Sequence, residues 1–173
     1  GYGIGAIIPT AKDLKKLGNK VIGIAGARND ENLILRDELA EACDEVHFTT
    51  NDGSVGRRGM VTDVLEDLLK EENIIQVLAV GPVPMMNAIS QMTKPLKIST
   101  YVSLNAIMVD GTGMCGACRV SVGKETKFAC IHGPDFDGHE VDFDNLMKRQ
   151  KMFRKEEKMA MESFEPAIHD SNE

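Results

Sequence analysis

Residues 73–92, NIIQVLAVGPVPMMNAISQM, decide the fold class. Asn73 to Val80 is a continuous apolar run, short enough for a strand covered on both faces. Gly81-Pro82-Val83-Pro84 then opens a helix predicted from Met85 to about Met92, its prolines standing where a first helical turn tolerates them. The pattern repeats upstream. Ala6 to Leu17 reads as a helix carrying Ile7, Ile8, Ala11, Leu14 and Leu17, and Lys20 to Ala25 (KVIGIA) as a buried strand. Glu31 to Ala42 reads as a helix, Glu45 to Thr49 as a strand, and Met60 to Lys70 as a third helix behind a polar loop from Thr50 to Gly59. Lys97 to Leu104 closes the series as a strand. Strands alternating with helices predict βαβ units, hence an α/β fold with a parallel sheet.

In such sheets ligands bind beyond the carboxyl ends of the strands, where the loops gather. The loops at Gly1–Gly5, Gly26–Asn29, Thr50–Ser54 and Gly81–Pro84 are expected along that one edge. They supply the candidate dinucleotide contacts Gly3, Ile4, Gly5, Arg28, Thr50, Asp52, Gly53, Ser54, Gly81 and Pro82. Amides at Gly1, Gly3 and Gly5 can approach a pyrophosphate at a helix start, although a glycine turn with a purely structural job reads the same way. Arg28 suits an adenine face or a phosphate, or simply water, and Asn51-Asp52-Gly53-Ser54 is equally an ordinary turn sequence. Arg57 and Arg58 suit a phosphate or solvent alike.

From Asn105 the composition shifts to glycine, cysteine and short β-prone pieces (CRVSV, TKFACI). The spacing Asp110-x₄-Cys115-x₂-Cys118-x₁₁-Cys130 matches the plant-type iron–sulfur pattern with aspartate at its first position. Thiolates suit iron or zinc, and Gly111, Gly113 and Gly116 favour iron, because a loop wrapped around a cluster needs amides close to the sulfurs. Asp110 is the candidate fourth ligand, though Asp110-Gly111 is also a good turn pair whose carboxylate can hydrogen-bond the loop. His47 and His132 are set aside as ligands, since Asp110 and the three cysteines already make four. His139 and His169 have no evident partner. Cys43 reads as a buried core thiol, and the methionines as packing material. A metal is expected to replace a hydrophobic core in this module.

The chain has 173 residues, 42% of them apolar, and a net charge of −7. That charge argues against a nucleic-acid binder, which needs clustered Lys and Arg. No run approaches the length of a membrane span and no secretory signal is visible, so the cytoplasm is the expected compartment. The expected organisation is a nucleotide-binding domain over 1–104, an iron–sulfur module over 105–142 and a charged helical tail over 143–173, its last residues (AIHDSNE) disordered.

In the order Gly3-Ile4-Gly5-Ala6, Gly26-Ala27-Arg28, Thr50-Asn51-Asp52-Gly53-Ser54 and Gly81-Pro82-Val83-Pro84-Met85-Met86, these loops resemble the nucleotide-binding domain of the ferredoxin–NADP reductase superfamily. Joined to the cysteine motif they are similar to iron–sulfur flavoprotein electron-transfer subunits. These include that of dihydroorotate dehydrogenase, small subunits of NADH-dependent ferredoxin:NADP oxidoreductase or sulfide dehydrogenase, and hydrogenase gamma-type subunits. Aspartate in place of the first cysteine is similar to the small-subunit branch. The resemblance implies a [2Fe–2S] cluster on Asp110, Cys115, Cys118 and Cys130, bound NAD(P), and FAD in the intact protein. It also implies a larger oxidoreductase subunit or other redox partner. A glycine loop of this kind follows a strand, so a first strand and an FAD-binding barrel are expected before Gly1, and the chain alone is expected to hold FAD weakly and not to turn over. A zinc-stapled nucleotide-binding regulator without redox activity is the rival reading.

Overall fold

A computed structural model describes residues 1–164; the predicted disordered end, AIHDSNE, lies outside them, as does His169. The elements run α1 (Gly3–Lys16), β1 (Ile22–Ala27), α2 (Arg36–Ala42), β2 (Glu45–Thr50), β3 (Arg57–Arg58), α3 (Val61–Glu71), β4 (Gln76–Val80), α4 (Val83–Thr93) and β5 (Ser99–Ser103). They continue through β6 (Arg119–Val122), β7 (Glu125–Phe128), α5 (Ala129–His132), β8 (Asp135–Asp137), α6 (Phe143–Gln150) and α7 (Arg154–Glu162). The strands up to β5 pair in parallel, as the alternating pattern predicts, while β6 and β7 form an antiparallel pair. β1 lies along β2 from Ile22 opposite Glu45 to Ala27 opposite Thr50, with β3 beyond it. β4 lies along β5 from Gln76 opposite Ser99 to Val80 opposite Ser103.

Three local readings differ. The first helix begins inside the predicted glycine loop, because the carbonyls of Gly1 and Tyr2 accept from the amides of Ile4 and Gly5, both at 3.2 Å. Ile4 thereby joins Ile8 and Ala11 on the buried stripe. Glycine is required at position 3, where a Cβ would stand 2.6 Å from the Val80 carbonyl oxygen. The helix predicted over Glu31–Ala42 is interrupted. Asn29 caps a short 3₁₀ turn at Asp30–Asn32, its side chain accepting from Asn32 N–H, and Leu35 is left-handed at φ 53° before α2 starts at Arg36. Burying Leu33 decides this, since its side chain is 4% exposed. The apolar run at 73–80 enters the sheet only at Gln76, and Ile75 remains largely exposed.

Two apolar cores result. One gathers Ile4, Ile8, Ala11, Ala25, Leu33 and Leu39 around α1 and β1, with Cys43 buried as predicted and its thiol pushed up by that burial. The other runs from Ala79, Val83, Met86 and Val102 into Cys118, Val120, Phe136, Phe143 and Leu146. The cysteine-bearing segment therefore has apolar packing of its own, continuous with the parallel sheet, where the sequence suggested a metal in place of a core. β8 adds antiparallel to β5, and α6, placed in the tail by sequence, buries Phe143 and Leu146 in the same core. His139 does have a partner: its Nε2 lies 2.9 Å from Thr93 Oγ1, which accepts from Thr100 Oγ1 at 2.7 Å. Met86 is fully buried, but Met60, Met152, Met159 and Met161 are exposed, so packing does not describe them. The last two lie on α7, which has no buried residue.

Candidate functional site

The carboxyl ends of β1, β2 and β4 bring the predicted loops together. The Gly1 ammonium donates to the Gly26 carbonyl at 3.3 Å, while Gly3 abuts the end of β4 at Val80. Gly81 and Pro82 follow directly, and the Pro82 carbonyl accepts from the amides of Met85 and Met86 to start α4. Ser54 ties the two neighbouring loops: its hydroxyl donates to Asp52 Oδ1 at 2.7 Å and accepts from Asp30 N–H at 2.9 Å. The Arg28 carbonyl accepts from Asp52 N–H at 3.3 Å, which leaves the exposed guanidinium on the rim. Gly53 sits at φ +79°, where a side chain is strained.

Thr50 plays a different part from a surface contact. It is fully buried, and its hydroxyl donates to the Val55 carbonyl and accepts from Val55 N–H, clamping the loop from within. Arg57 is committed to Asp67 Oδ2 at 2.5 Å, while Arg28 and Arg58 are both exposed, the Arg58 side chain lying against Gly53 of the Asp52 turn.

The Asp52 carboxyl is held below its ordinary range by the Ser54 hydroxyl and then the Ser54 amide. A folded-state pKa below the unfolded one means that the stabilisation is present above the unfolded value, about 3.9, and is lost as pH falls through the folded value. Asp52→Asn is expected to lower the melting temperature at pH 7. The difference from wild type should shrink as pH falls below the unfolded value, about 3.9, as read by thermal melts at pH 7 and in acid.

The cysteine loop is organised by Asp110. Its Oδ1 accepts from Thr112 N–H at 2.9 Å and its Oδ2 from Cys115 N–H at 2.8 Å, and these donors, Thr112 first, hold the carboxyl below its usual range. Gly111, Gly113 and Gly116 all have positive φ (71°, 82° and 67°), the conformational freedom this loop needs. Cys118 and Cys130 stand Sγ to Sγ at 3.3 Å although twelve residues apart. Cys130 reaches this position from α5, a short helical turn where the sequence suggested only a strand piece. The hydrogen bond with Cys118, followed by burial, pushes the Cys130 thiol up, and the Asp110 carboxylate adds to the effect. Cys115 is exposed and its sulfur accepts from Ala117 N–H at 3.4 Å.

Among the described residues no three His, Cys, Asp or Glu side chains are gathered at metal-holding spacing; the structure pairs two sulfurs and folds the loop bearing the other two donors beside them. This donor set fits an iron–sulfur group: soft sulfur, one carboxylate, and amides directed at sulfur and carboxylate. His132 does not compete, because its Nδ1 accepts from Phe128 N–H at 2.9 Å. His47 likewise contacts Glu45 Oε1, at 2.8 Å.

Two arginines missed by sequence reasoning brace the loop. Arg149 of α6 donates to the Ala117 carbonyl at 2.9 Å, and Arg119 to the Gly116 carbonyl at 3.1 Å. Burial, then repulsion from Arg119, lowers the pKa of Arg149. The signal was the spacing of Phe143, Leu146 and Met147, which marks a helix docked on the module and aims Arg149 at it. Arg149→Met is expected to cost about 1–2 kcal/mol by stranding the Ala117 carbonyl, measured by urea denaturation.

Comparison with known proteins agrees with this geometry. Residues 105–142 match the family model for the iron–sulfur cluster binding domain of dihydroorotate dehydrogenase B. Over 164 residues, 95% of the chain, it is 46% identical to the dihydroorotate dehydrogenase B (NAD(+)) electron transfer subunit homolog of Thermotoga maritima, covering 58% of that protein. It is 38% identical over 146 residues, 83% of the chain, to the electron transfer subunit of Clostridium perfringens, covering 56% of it. The solved structure of the NADH-dependent reduced ferredoxin-NADP oxidoreductase, studied for flavin-based electron bifurcation, superposes with a TM-score of 0.83 at 45% identity, covering 92% of this chain and 58% of that one. The chain thus spans a little over half the length of these relatives. With its strand-end loops and its braced cysteine loop, the chain is similar along most of its length to electron transfer subunits named for dihydroorotate dehydrogenase B and to the solved NADH-dependent reduced ferredoxin-NADP oxidoreductase, and residues 105–142 match the iron–sulfur cluster binding domain.

Proposed function

We propose that the protein is part of the electron-transfer subunit of an iron–sulfur flavoprotein oxidoreductase, moving electrons between NAD(P)H and a partner subunit. The observation that carries this reading is the contact of Cys118 with Cys130 at 3.3 Å beside the loop folded on Asp110. Asp110, Cys115, Cys118 and Cys130 hold a [2Fe–2S] cluster. Both Asp110 oxygens keep a lone pair after accepting an amide, so organising the loop and ligating iron are compatible. Gly3, Ile4, Gly5, Arg28, Thr50, Asp52, Gly53, Ser54, Gly81 and Pro82 form the dinucleotide edge, Ile4 and Thr50 from beneath it and Arg28 at its rim. A flavin bound in the intact protein would supply the conversion between a hydride, which carries two electrons, and a cluster held by Asp110, Cys115, Cys118 and Cys130, which would carry one at a time.

The chain's own work is placement. Asp52 and Ser54 hold two loops together for the dinucleotide, and Arg119 and Arg149 hold the carbonyl side of the cysteine loop. Val109 and Met114, 76% and 88% exposed, mark the face offered to a redox partner. No helix among the described residues is long and apolar enough to cross a membrane, and three clustered thiols free of disulfides suit the reducing cytoplasm.

Metal analysis of the anaerobically purified chain tests the reading. About two irons per chain with matching acid-labile sulfide and a brown colour are expected. About one zinc, no iron and failed reconstitution would establish the zinc-stapled module instead.

A further inference from the structure

Elsewhere in the molecule cations meet carboxylates. Arg36 pairs with Asp30, Arg57 with Asp67, and Lys127 with Glu125 on the β6–β7 hairpin. Arg119 and Arg149 have no carboxylate partner among the described residues, and each is held by a neutral carbonyl instead. Arg119 Nη1 donates to Gly116 at 3.1 Å and Arg149 Nη2 to Ala117 at 2.9 Å. Those carbonyls belong to the two residues between Cys115 and Cys118. Arg119 follows Cys118 directly, while α6 brings Arg149 from thirty-two residues away. Two like charges thus converge on one short peptide segment, close enough to repel each other. Such an arrangement is favourable only where the segment itself carries negative charge.

One peptide links charge to sulfur directly. In the Gly116–Ala117 unit the carbonyl accepts from Arg119 while the Ala117 N–H donates to Cys115 Sγ at 3.4 Å. The two bonds stand in series across one planar amide, so the cation polarises the carbonyl and leaves the N–H a stronger donor. The sulfur at the far end is then better able to carry negative charge.

The structure assigns Arg119 and Arg149 a task beyond bracing: they raise the reduction potential of the iron–sulfur group and so make this module the acceptor of a single electron. This assignment rests on the cluster reading of Asp110, Cys115, Cys118 and Cys130. Two ferric ions, two sulfides, three thiolates and one carboxylate sum to a dianion, and one added electron makes a trianion. In that step one ferric ion becomes ferrous, a reduced flavin gives up the electron, and no bond forms or breaks. Neighbouring cations stabilise the trianion more than the dianion, and hydrogen bonds to sulfur act in the same direction. Arg149 is half-buried and little screened, whereas Arg119 is exposed and its effect falls with salt.

The experiment is a spectroelectrochemical titration of the iron-reconstituted chain, followed by bleaching of its visible absorption. Wild type is compared with Arg149→Gln, Arg149→Lys, Arg119→Gln and Arg119→Lys, and iron content is measured on every sample. Glutamine keeps a donor for the carbonyl and loses the charge, while lysine keeps both. Arg149→Gln is expected to lower the reduced-to-oxidised ratio at fixed ambient potential about 10-fold, a fall of about 59 mV for one electron. Arg119→Gln is expected to lower it about 3-fold, an effect that shrinks as salt is raised. Both lysine variants should stay within about 2-fold of wild type, since the charge remains. A wild-type potential in the glutamine variants, or equal shifts in the glutamine and lysine variants, would leave the arginines as braces only and overturn the assignment. Should Arg149→Gln lose iron, the two Arg119 variants, exposed and outside the core, decide alone. A wild-type chain that binds no iron defeats the cluster reading and this assignment with it, a result read from metal analysis before any potential is measured.

Discussion

Cys118→Ser is expected to abolish iron loading, from about two irons per chain to less than about a tenth of that after anaerobic reconstitution. A serine hydroxyl is a harder and far weaker ligand for iron than thiolate. The position is also structural, because Cys118 is 3% exposed and packs in the core with Val120 and Phe136. A serine there costs about 1–3 kcal/mol as a buried hydroxyl. Cys115→Ser separates the two effects. Its sulfur is exposed and lies outside the core, so iron is expected to be lost while the urea midpoint of the apo-protein stays unchanged. Full iron content in both variants, read by atomic absorption with the visible spectrum, would remove the cysteines from the site.

Asp110 carries the second large effect, and its substitutions divide its two roles. Asp110→Ala removes the acceptor for the amides of Thr112 and Cys115 and is expected to lower iron content at least ~10-fold. Asp110→Asn keeps one carbonyl oxygen for the loop but has no anionic ligand, and the same loss is expected if the carboxylate binds iron. Asp110→Cys restores an anionic donor. It should retain iron with a changed absorption spectrum, because the ligand set becomes all sulfur. Full iron and an unchanged spectrum in Asp110→Asn would reduce Asp110 to a loop organiser.

Much of the fold was legible because burial on both faces leaves a short apolar run that few other structures produce. KVIGIA and NIIQVLAV read as strands on that ground, and the parallel pairing of β1 with β2 and of β4 with β5 follows from the helices between successive strands. The boundaries were less legible, since apolar content alone does not say where pairing stops: Ile75 is as apolar as Val77 but lies outside the sheet. The break before α2 was hidden for a similar reason. Leu35, Leu39 and Ala42 fit a helical period, and only the need to bury Leu33 against α1 and β1 turns the chain at Leu35.

The sequence by itself determined the chemistry. Donor types and their spacing at Asp110, Cys115, Cys118 and Cys130 are covalent facts, as is the order of the four glycine-bearing loops, and alternation of strands and helices confines those loops to one edge. Only the tertiary structure decided which side chains touch. It showed that Thr50 is a buried clamp, that Arg57 is spent on Asp67, and that Arg149, thirty-two residues from Ala117, braces the cysteine loop. The physical reason is range: periodicity and ligand spacing act along the chain, whereas core packing and edge pairing depend on segments that the sequence does not place side by side.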